Sequence, residues 1–235
     1  LEHKHDGLTS VGSRDYIRAE DRSVIGFGDE RFRVRVIPRS LAVETIIKHH
    51  YSGRVVNNSY VHLGVFLDDA FVGALQFGYA LNPASGGRIV PGTPNKGYLE
   101  LNRMWIDDSV PRNGETMALA FAVRFVRARH PGVAWIQSFA DERCGRWGAV
   151  YQAASFLYCG FHWTDFWLID GVWYHDMLLT AHKKGGGRGR FLRANLHRAT
   201  RHRFRQFRYI RPLKPAARRG LTLPVLPYPK PGTGP

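Results

Sequence analysis

Runs in which apolar and polar residues alternate, each closed by a turn dipeptide, dominate the chain up to Thr180 and demand a sheet. Arg31 to Pro38 reads RFRVRVIP, a strand period that Pro38 ends. Tyr60 to Leu67 and Phe71 to Tyr79 flank Asp68-Asp69 and predict an antiparallel hairpin. Tyr98 to Ile106 (YLELNRMWI) alternates again, and Val133 to Phe139 (VAWIQSF) predicts a buried strand. Phe161 to Ile169 and Val172 to Leu179 flank Asp170-Gly171, a second hairpin signal.

Helical patterns separate these runs. Ser40 can cap a helix with Glu44 in its first turns, running to about His50 and stopped by Gly53. Glu115 to Arg129 has an almost wholly apolar middle, Met117 to Val126, and ends at His130-Pro131-Gly132. Ala149 to Tyr158 predicts a short helix ended by Gly160. Residues 1–30 show no clear period and read as a loose lead-in, and Asn82 to Gly97 as a long loop. The order β-α-β-β-β-α-β-α-β-β predicts an α/β domain: a mixed sheet with helices on both faces over 31–182.

The charge lies elsewhere. The net charge is +15. Of the 34 Lys and Arg, 15 lie from Lys183 onward, where there is no Asp or Glu; the remaining 19 balance all 19 acidic residues. Residues 183–235 therefore read as a basic extension on a neutral body. Lys183 to Gly189 predicts a linker, Phe191 to Arg205 a helix, Gln206 to Leu213 a strand, and the Pro-rich end an extended segment. Arg188, Arg190, Arg193, Arg198, Arg201, Arg203, Arg205, Arg208 and Arg211 are interleaved with Phe204, Phe207 and Tyr209. Arginine binds phosphate and aromatics stack on or wedge between bases, so nucleic acid is the expected partner. A solvated basic face or a membrane-surface segment are the alternatives.

Two cysteines are too few for a disulfide framework. No apolar run approaches the ~20 residues of a membrane span, and the polar start carries no signal-peptide pattern. A cytoplasmic protein is the expectation. The sequence has no Walker loop, GxGxxG, nucleophile elbow or HExxH, and no cysteine pair with zinc-finger spacing.

Four places can carry chemistry. Asp107 to Ala120 holds a turn and a helix start, where the amides of Asn113 to Thr116 can meet an anion, with Arg112 adding charge. A plain cap by Asn113 is the simpler reading of that segment alone. His49-His50-Tyr51-Ser52-Gly53-Arg54 crowds polar groups at a helix end, where histidines also simply suit the helix dipole. Asp141 to Arg146 leaves a strand at its C-terminal end, where α/β proteins put ligands, and Tyr151 can face back toward it. An ion-paired exposed turn is the alternative there. Glu100 sits in an otherwise apolar strand, where a carboxylate is costly unless paired or functional. Period 2 puts Tyr98, Glu100 and Asn102 on one face and Arg103 on the other.

Three long segments, HHYSGRVVNNSY, GYLELNRMWIDD and IQSFADERCGRWGAVYQAASFLYCGFH, together resemble the Mom family of bacteriophage DNA-modification proteins. The likeness runs from about His49 to His182 and into the basic tail. It implies a fold like the GCN5-related N-acetyltransferases, a mixed, mostly antiparallel sheet flanked by helices. It implies conversion of the exocyclic N6 of adenine in double-stranded DNA to a methylcarbamoyl derivative, which blocks host restriction. Acetyl-CoA and iron are the implied cofactors, and the cytoplasm of the infected bacterium the implied place. Carried onto this sequence, the catalytic residues are His50, Tyr51, Asp141 and Tyr151, with Glu100 a candidate base. His50, Asp141 and Tyr151 are the candidate iron ligands. Acyl-CoA maps onto Arg103, Met104, Trp105 and Ile106, with its pyrophosphate at Arg112, Asn113, Gly114 and Thr116. The superfamily's pyrophosphate loop, Q/R-x-x-G-x-G/A, is matched here only at Gly114. An acetyltransferase acting on protein or small molecules, or a non-catalytic DNA-binding protein, would share parts of this pattern.

Overall fold

A computed structural model describes residues 14–80, 82–145, 147–180 and 187–230. The elements are β1 (Asp15–Arg18), β2 (Val24–Gly28), β3 (Phe32–Val36), α1 (Arg39–His49), β4 (Ser59–Leu67), β5 (Ala70–Gly78), α2 (Gly86–Ile89), β6 (Tyr98–Ile106), α3 (Gly114–Arg129), β7 (Trp135–Asp141), α4 (Ala149–Ala153), β8 (Leu157–Ile169), β9 (Val172–His175), α5 (Met177–Thr180), α6 (Gly187–Ala194), β10 (Thr200–Pro212) and α7 (Pro215–Arg219). Among the described residues the strands form one sheet in the order β1-β2-β3-β4-β5-β6-β7-β10-β8-β9. Every neighbouring pair is antiparallel except β6 and β7.

Both expected hairpins form. Asp68 and Asp69 turn with φ of 45° and 68°, Asp170 and Gly171 with φ of 49° and 73°. Positive φ at both central residues matches the right-handed strand twist. α3 lays Ala118, Leu119, Phe121, Ala122, Phe125 and Val126 on one face of the sheet, against Phe27, Leu63, Leu75, Leu99 and Ile136. α1 covers the opposite face, where Ala42 packs with Ile37, Phe66 and Ala74.

Several expectations change. Residues 1–30 are not all lead-in, since β1 and β2 extend the sheet at its edge; strands of four and five residues are too short to show a period. α1 begins at Arg39 after Pro38, with no side-chain cap from Ser40. The long loop contains α2. α4 ends at Ala153, and β8 begins at Leu157. β9 stops at His175, and α5 follows it. The predicted helix from Phe191 to Arg205 is α6, which ends at Ala194, followed by the start of β10; of the predicted linker, 187–189 are helical and 183–186 lie outside the described residues.

The largest change concerns the basic extension. β10 is an interior strand, paired with β7 over Gln206–Pro212 and with β8 from Thr200 to Ile210. Phe207 and Tyr209 are buried in the main core. The predicted Gln206 to Leu213 strand is thus part of the body rather than an appendage to it.

Candidate active site

β6 and β7 run parallel and pair over only three rungs: Tyr98 with Trp135, Leu99 with Ile136, and Glu100 with Gln137. β6 continues to Ile106 and β7 to Asp141. Past Glu100 the two strands share no further rung, so they part into a wedge in the middle of the sheet.

A bulge decides what lines that wedge. Leu101 pairs with Phe77 and Arg103 with Gln76, so Asn102 is an extra residue in β6. The alternation resets there. Leu99, Leu101, Met104 and Ile106 all pack on the α3 side. Glu100, Asn102, Arg103 and Trp105 therefore share the α1 side, which corrects the strict period-2 assignment of Arg103. In β7, Ile136 and Ala140 join the α3-side core, leaving Gln137, Phe139 and Asp141 on the α1 side.

The floor of the wedge is a polar network. Gln137 Nε2 donates to Glu100 Oε2 at 2.8 Å, Asn102 Nδ2 to Glu100 Oε1 at 3.4 Å, and Ser59 Oγ to Asn102 Oδ1 at 2.8 Å. Burial raises the Glu100 carboxyl above its ordinary pKa, against the lowering effect of the Gln137 and Asn102 hydrogen bonds and of Arg103 and Arg208.

The walls come from loops. Arg103 Nε donates to the Arg54 carbonyl at 2.9 Å, tying β6 to the segment after α1. Asp141 accepts from Arg143 Nε at 3.0 Å and Nη2 at 2.7 Å, and also from the Arg143 backbone amide. The Arg143 guanidinium then lies 3.8 Å over the Phe166 ring. Tyr51 is 63% exposed at the surface, yet its hydroxyl is held above the ordinary tyrosine value. Surrounding protein is the first cause, then the negative charges of Asp141 and Cys144, with Arg103 and Arg143 opposing. His175, at the rim, is kept below the ordinary imidazole value by its surroundings first and by Arg143 second.

Gln137 Oε1, Gln206 Nε2, His202 Nε2 and Gln76 Oε1 are among the buried polar atoms on this α1 side that have no partner. Each such orphan costs about 1–3 kcal/mol, a penalty that persists where a ligand is to supply the bond.

The model of the Mom protein family matches residues 31–230 of this sequence. The chain belongs to the Mom protein family. It is 52% identical over 210 residues to the methylcarbamoylase mom of Escherichia phage Mu, covering 88% of this chain and 87% of that protein. Solved structures similar in shape include a ribosomal-protein-S5-alanine acetyltransferase from Vibrio fischeri, at 11% identity, 81% and 98% coverage and a TM-score of 0.48. Another is an aminoglycoside acetyltransferase in complex with coenzyme A, at 14% identity, 56% and 87% coverage and a TM-score of 0.42.

Of the residues expected from Mom-family resemblance, the fold brings Tyr51, Glu100, Arg103 and Asp141 to one face of the wedge. His50 caps α1 beside them, its Nδ1 2.8 Å from Ser52 Oγ and its ring 4.3 Å from that of Tyr51. Tyr151 is on the opposite face: it packs in the α3-side core against Phe156 and Tyr209. Gly148 (φ +83°), which leads into α4, fixes this placement, because a Cβ there would meet the Tyr209 ring at 2.4 Å. Met104 and Ile106 face the same side as Tyr151, while Trp105 stacks on His49 at 4.2 Å. Arg112 and Asn113 are exposed before α3. Asn113 is left-handed (φ 71°) and no side chain caps the helix, so the simple Asn113 cap is replaced by an uncapped helix start at Gly114, with Thr116 in its first turn.

The iron site does not fit. Tyr151 is separated by the sheet from His50 and Asp141, and both oxygens of Asp141 are held by Arg143. Among the described residues no group of three His, Cys, Asp or Glu side chains is placed to hold a metal.

The tail arginines divide into two sets. Arg201 and Arg203 pair with Asp165 at 2.5 and 2.9 Å, Arg205 with Glu142 at 2.6 Å, and Arg198 with Asp170 at 2.8 Å. Arg188, Arg193 and Arg211 donate to the carbonyls of Trp173, Leu178 and Ser155. Arg208 lies over Phe139 at 5.2 Å, on the site face. Arg190, Lys214, Arg218 and Arg219 are exposed. The charge of the tail is thus partly spent inside the fold.

Sequence reading alone missed His175 and Gln206 as members of this site. It named the segments containing Arg54 and Arg143 but not the roles of these two residues. Nothing in their spacing links them; the ladder β7-β10-β8-β9 does.

Proposed function

We propose that this chain is a transferase that converts the exocyclic N6 of adenine in double-stranded DNA to a methylcarbamoyl derivative, with acetyl-CoA as acyl donor, and so protects phage DNA from host restriction. The observation that carries this reading is the β6–β7 wedge, together with family membership. In this reading the donor enters the wedge from the α3 side and the base from the α1 side. The main chain of β6 past Glu100, unpaired toward β7, suits the amides of a pantetheine-like arm. The uncapped start of α3 suits its phosphates, with Arg112 beside it. Bound acetyl-CoA would supply an activated carbonyl carbon.

In this reading the protein's own groups have separate roles. N6 is a poor nucleophile because its lone pair is delocalised into the ring. Glu100, with its raised pKa, is the proton acceptor at the wedge floor. Asp141 is the weaker candidate, since Arg143 holds both its oxygens. Tyr51, kept neutral, and Arg103, held by the Arg54 carbonyl, stabilise the developing oxyanion. Tyr151 serves the donor face. Acetyl transfer forms the N6–carbonyl bond and releases the thiol of CoA, but it leaves the carbonyl–methyl bond intact and brings no nitrogen; a methylcarbamoyl group needs that bond broken and a nitrogen placed between the two carbons.

The base must leave the duplex to reach the wedge. The exposed cations of the tail bind the backbone. No helix among the described residues is long and apolar enough to cross a membrane, and the reaction belongs in the cytoplasm of the infected bacterium.

Nucleoside mass analysis of DNA from cells expressing the full chain tests this. Wild type should give methylcarbamoyl-adenine, and isotope-labelled acetyl-CoA should label it. Unmodified DNA from cells containing folded protein would sink the reading. Full modification by Glu100→Gln would remove Glu100 as the base.

A further inference from the structure

Gln206 is directly opposite Asp141 in the β10–β7 ladder and directly opposite His162 in the β10–β8 ladder. Direct partners share a face. Its amide therefore lies on the α1 side, between the Asp141–Arg143 pair and His162. Its Nε2 is buried and has no hydrogen-bond partner. A donor stripped of water and left unmatched in this position points to a ligand acceptor.

An aromatic wall adjoins it. Phe204, two residues along β10 on the same face, lies 6.1 Å from Phe166 and 5.7 Å from Trp173. Arg143 spans the wall and the carboxylate, its guanidinium over Phe166 and its nitrogens on Asp141. An amide edge beside aromatic faces is the arrangement that recognises a base lifted out of its stack.

We propose that Gln206 reads the target base: Nε2 donates to adenine N7 and Oε1 accepts from one N6–H, while the Phe204–Trp173 wall takes the ring face. This rests on the DNA-adenine reading above and adds the residue that selects the base. A glutamine amide presents a donor and an acceptor side by side, which matches N7 and N6–H of adenine. Guanine offers two acceptors at the same edge and opposes Oε1; pyrimidines lack N7.

The test uses the full chain and duplexes carrying one mismatched adenine, or 7-deazaadenine at the same position; the mismatch lowers the cost of extrusion. Wild type should bind the adenine duplex about tenfold more tightly or better, the size of one good base contact. Gln206→Ala, with unchanged melting temperature, should bind both duplexes alike at the weaker affinity. Gln206→Glu should bind adenine more weakly still, because a carboxylate opposes N7. Equal wild-type affinity for the two duplexes, or a preference that survives Gln206→Ala, overturns the proposal. Should the variant fail to fold, the wild-type comparison decides alone, since 7-deazaadenine removes the same bond from the substrate side. If wild type binds no DNA at all, the DNA reading itself falls, and this proposal with it.

Discussion

Gln137 donates to Glu100 Oε2 at 2.8 Å on the last rung that β6 and β7 share. This bond closes the floor of the wedge and holds a carboxyl that burial keeps above its ordinary value of 4.5. A raised carboxyl makes the folded state bind more protons than the unfolded one. Stability from this group is therefore full below the ordinary value and falls as pH rises through the folded one. Glu100→Gln should raise the melting temperature at neutral pH, with the gain vanishing toward pH 4.5, while abolishing DNA modification. Thermal melts across pH and nucleoside analysis check the two halves separately.

Asp141 and Arg143 form the most enclosed ion pair of the site, their side chains 9% and 17% exposed. Asp141→Asn leaves Arg143 charged and under-compensated, at about 3 kcal/mol of stability. Arg143 keeps its stacking on Phe166. The double variant Asp141→Asn, Arg143→Met should recover part of that loss without recovering modification. Urea unfolding of the cycle measures the coupling.

Removing 183–235 deletes an interior strand, so the truncated chain should lose cooperative unfolding rather than only DNA affinity. Phe207, 1% exposed, gives the milder version. Phe207→Ala should cost about 3–5 kcal/mol. Denaturant midpoints decide this.

Asp165 accepts from Arg203 and Arg201, which pull its pKa down to about 2. Any stability from a depressed carboxyl is present above its ordinary value of 3.8 and lost as pH falls through about 2. Both pairs therefore persist at any pH used for DNA binding. Asp165→Asn should release the two arginines and steepen the salt dependence of DNA affinity by about one to two units of slope; Lys214→Ala should flatten it by about one. Titrations at several salt concentrations check both.

Burial pushes the Cys159 thiol up to about 11, whereas Cys144 is half-buried in the turn after β7. Alkylation of the native protein at pH 8 should label Cys144 first, and both thiols only after unfolding. Peptide mass mapping distinguishes them.

Much of this was legible beforehand. The two hairpins, α3 and the β7 strand were written in local periodicity and turn chemistry, which act over a few residues. Tyr51 and Asp141 stood out as polar groups at a helix end and a strand end, and Glu100 as a carboxylate in an apolar strand. Tyr151 was named with them, but its face was not determined by counting helical turns from Asp141. Gln206 and His175 gave no local signal, because their meaning lies in what pairs beside them.

By itself the sequence determined most of the central strands, α1 and α3, the two hairpin turns, and the uneven charge of residues 1–182 and 183–235. Alternation and composition are properties of consecutive residues. The tertiary structure alone decided that β10 enters the sheet between β7 and β8, that several tail arginines meet acids of the body, and that the Asn102 bulge turns Arg103 onto the face of Glu100. Strand neighbours and bulges are chosen by packing between distant segments, and period 2 holds only as far as the next extra residue.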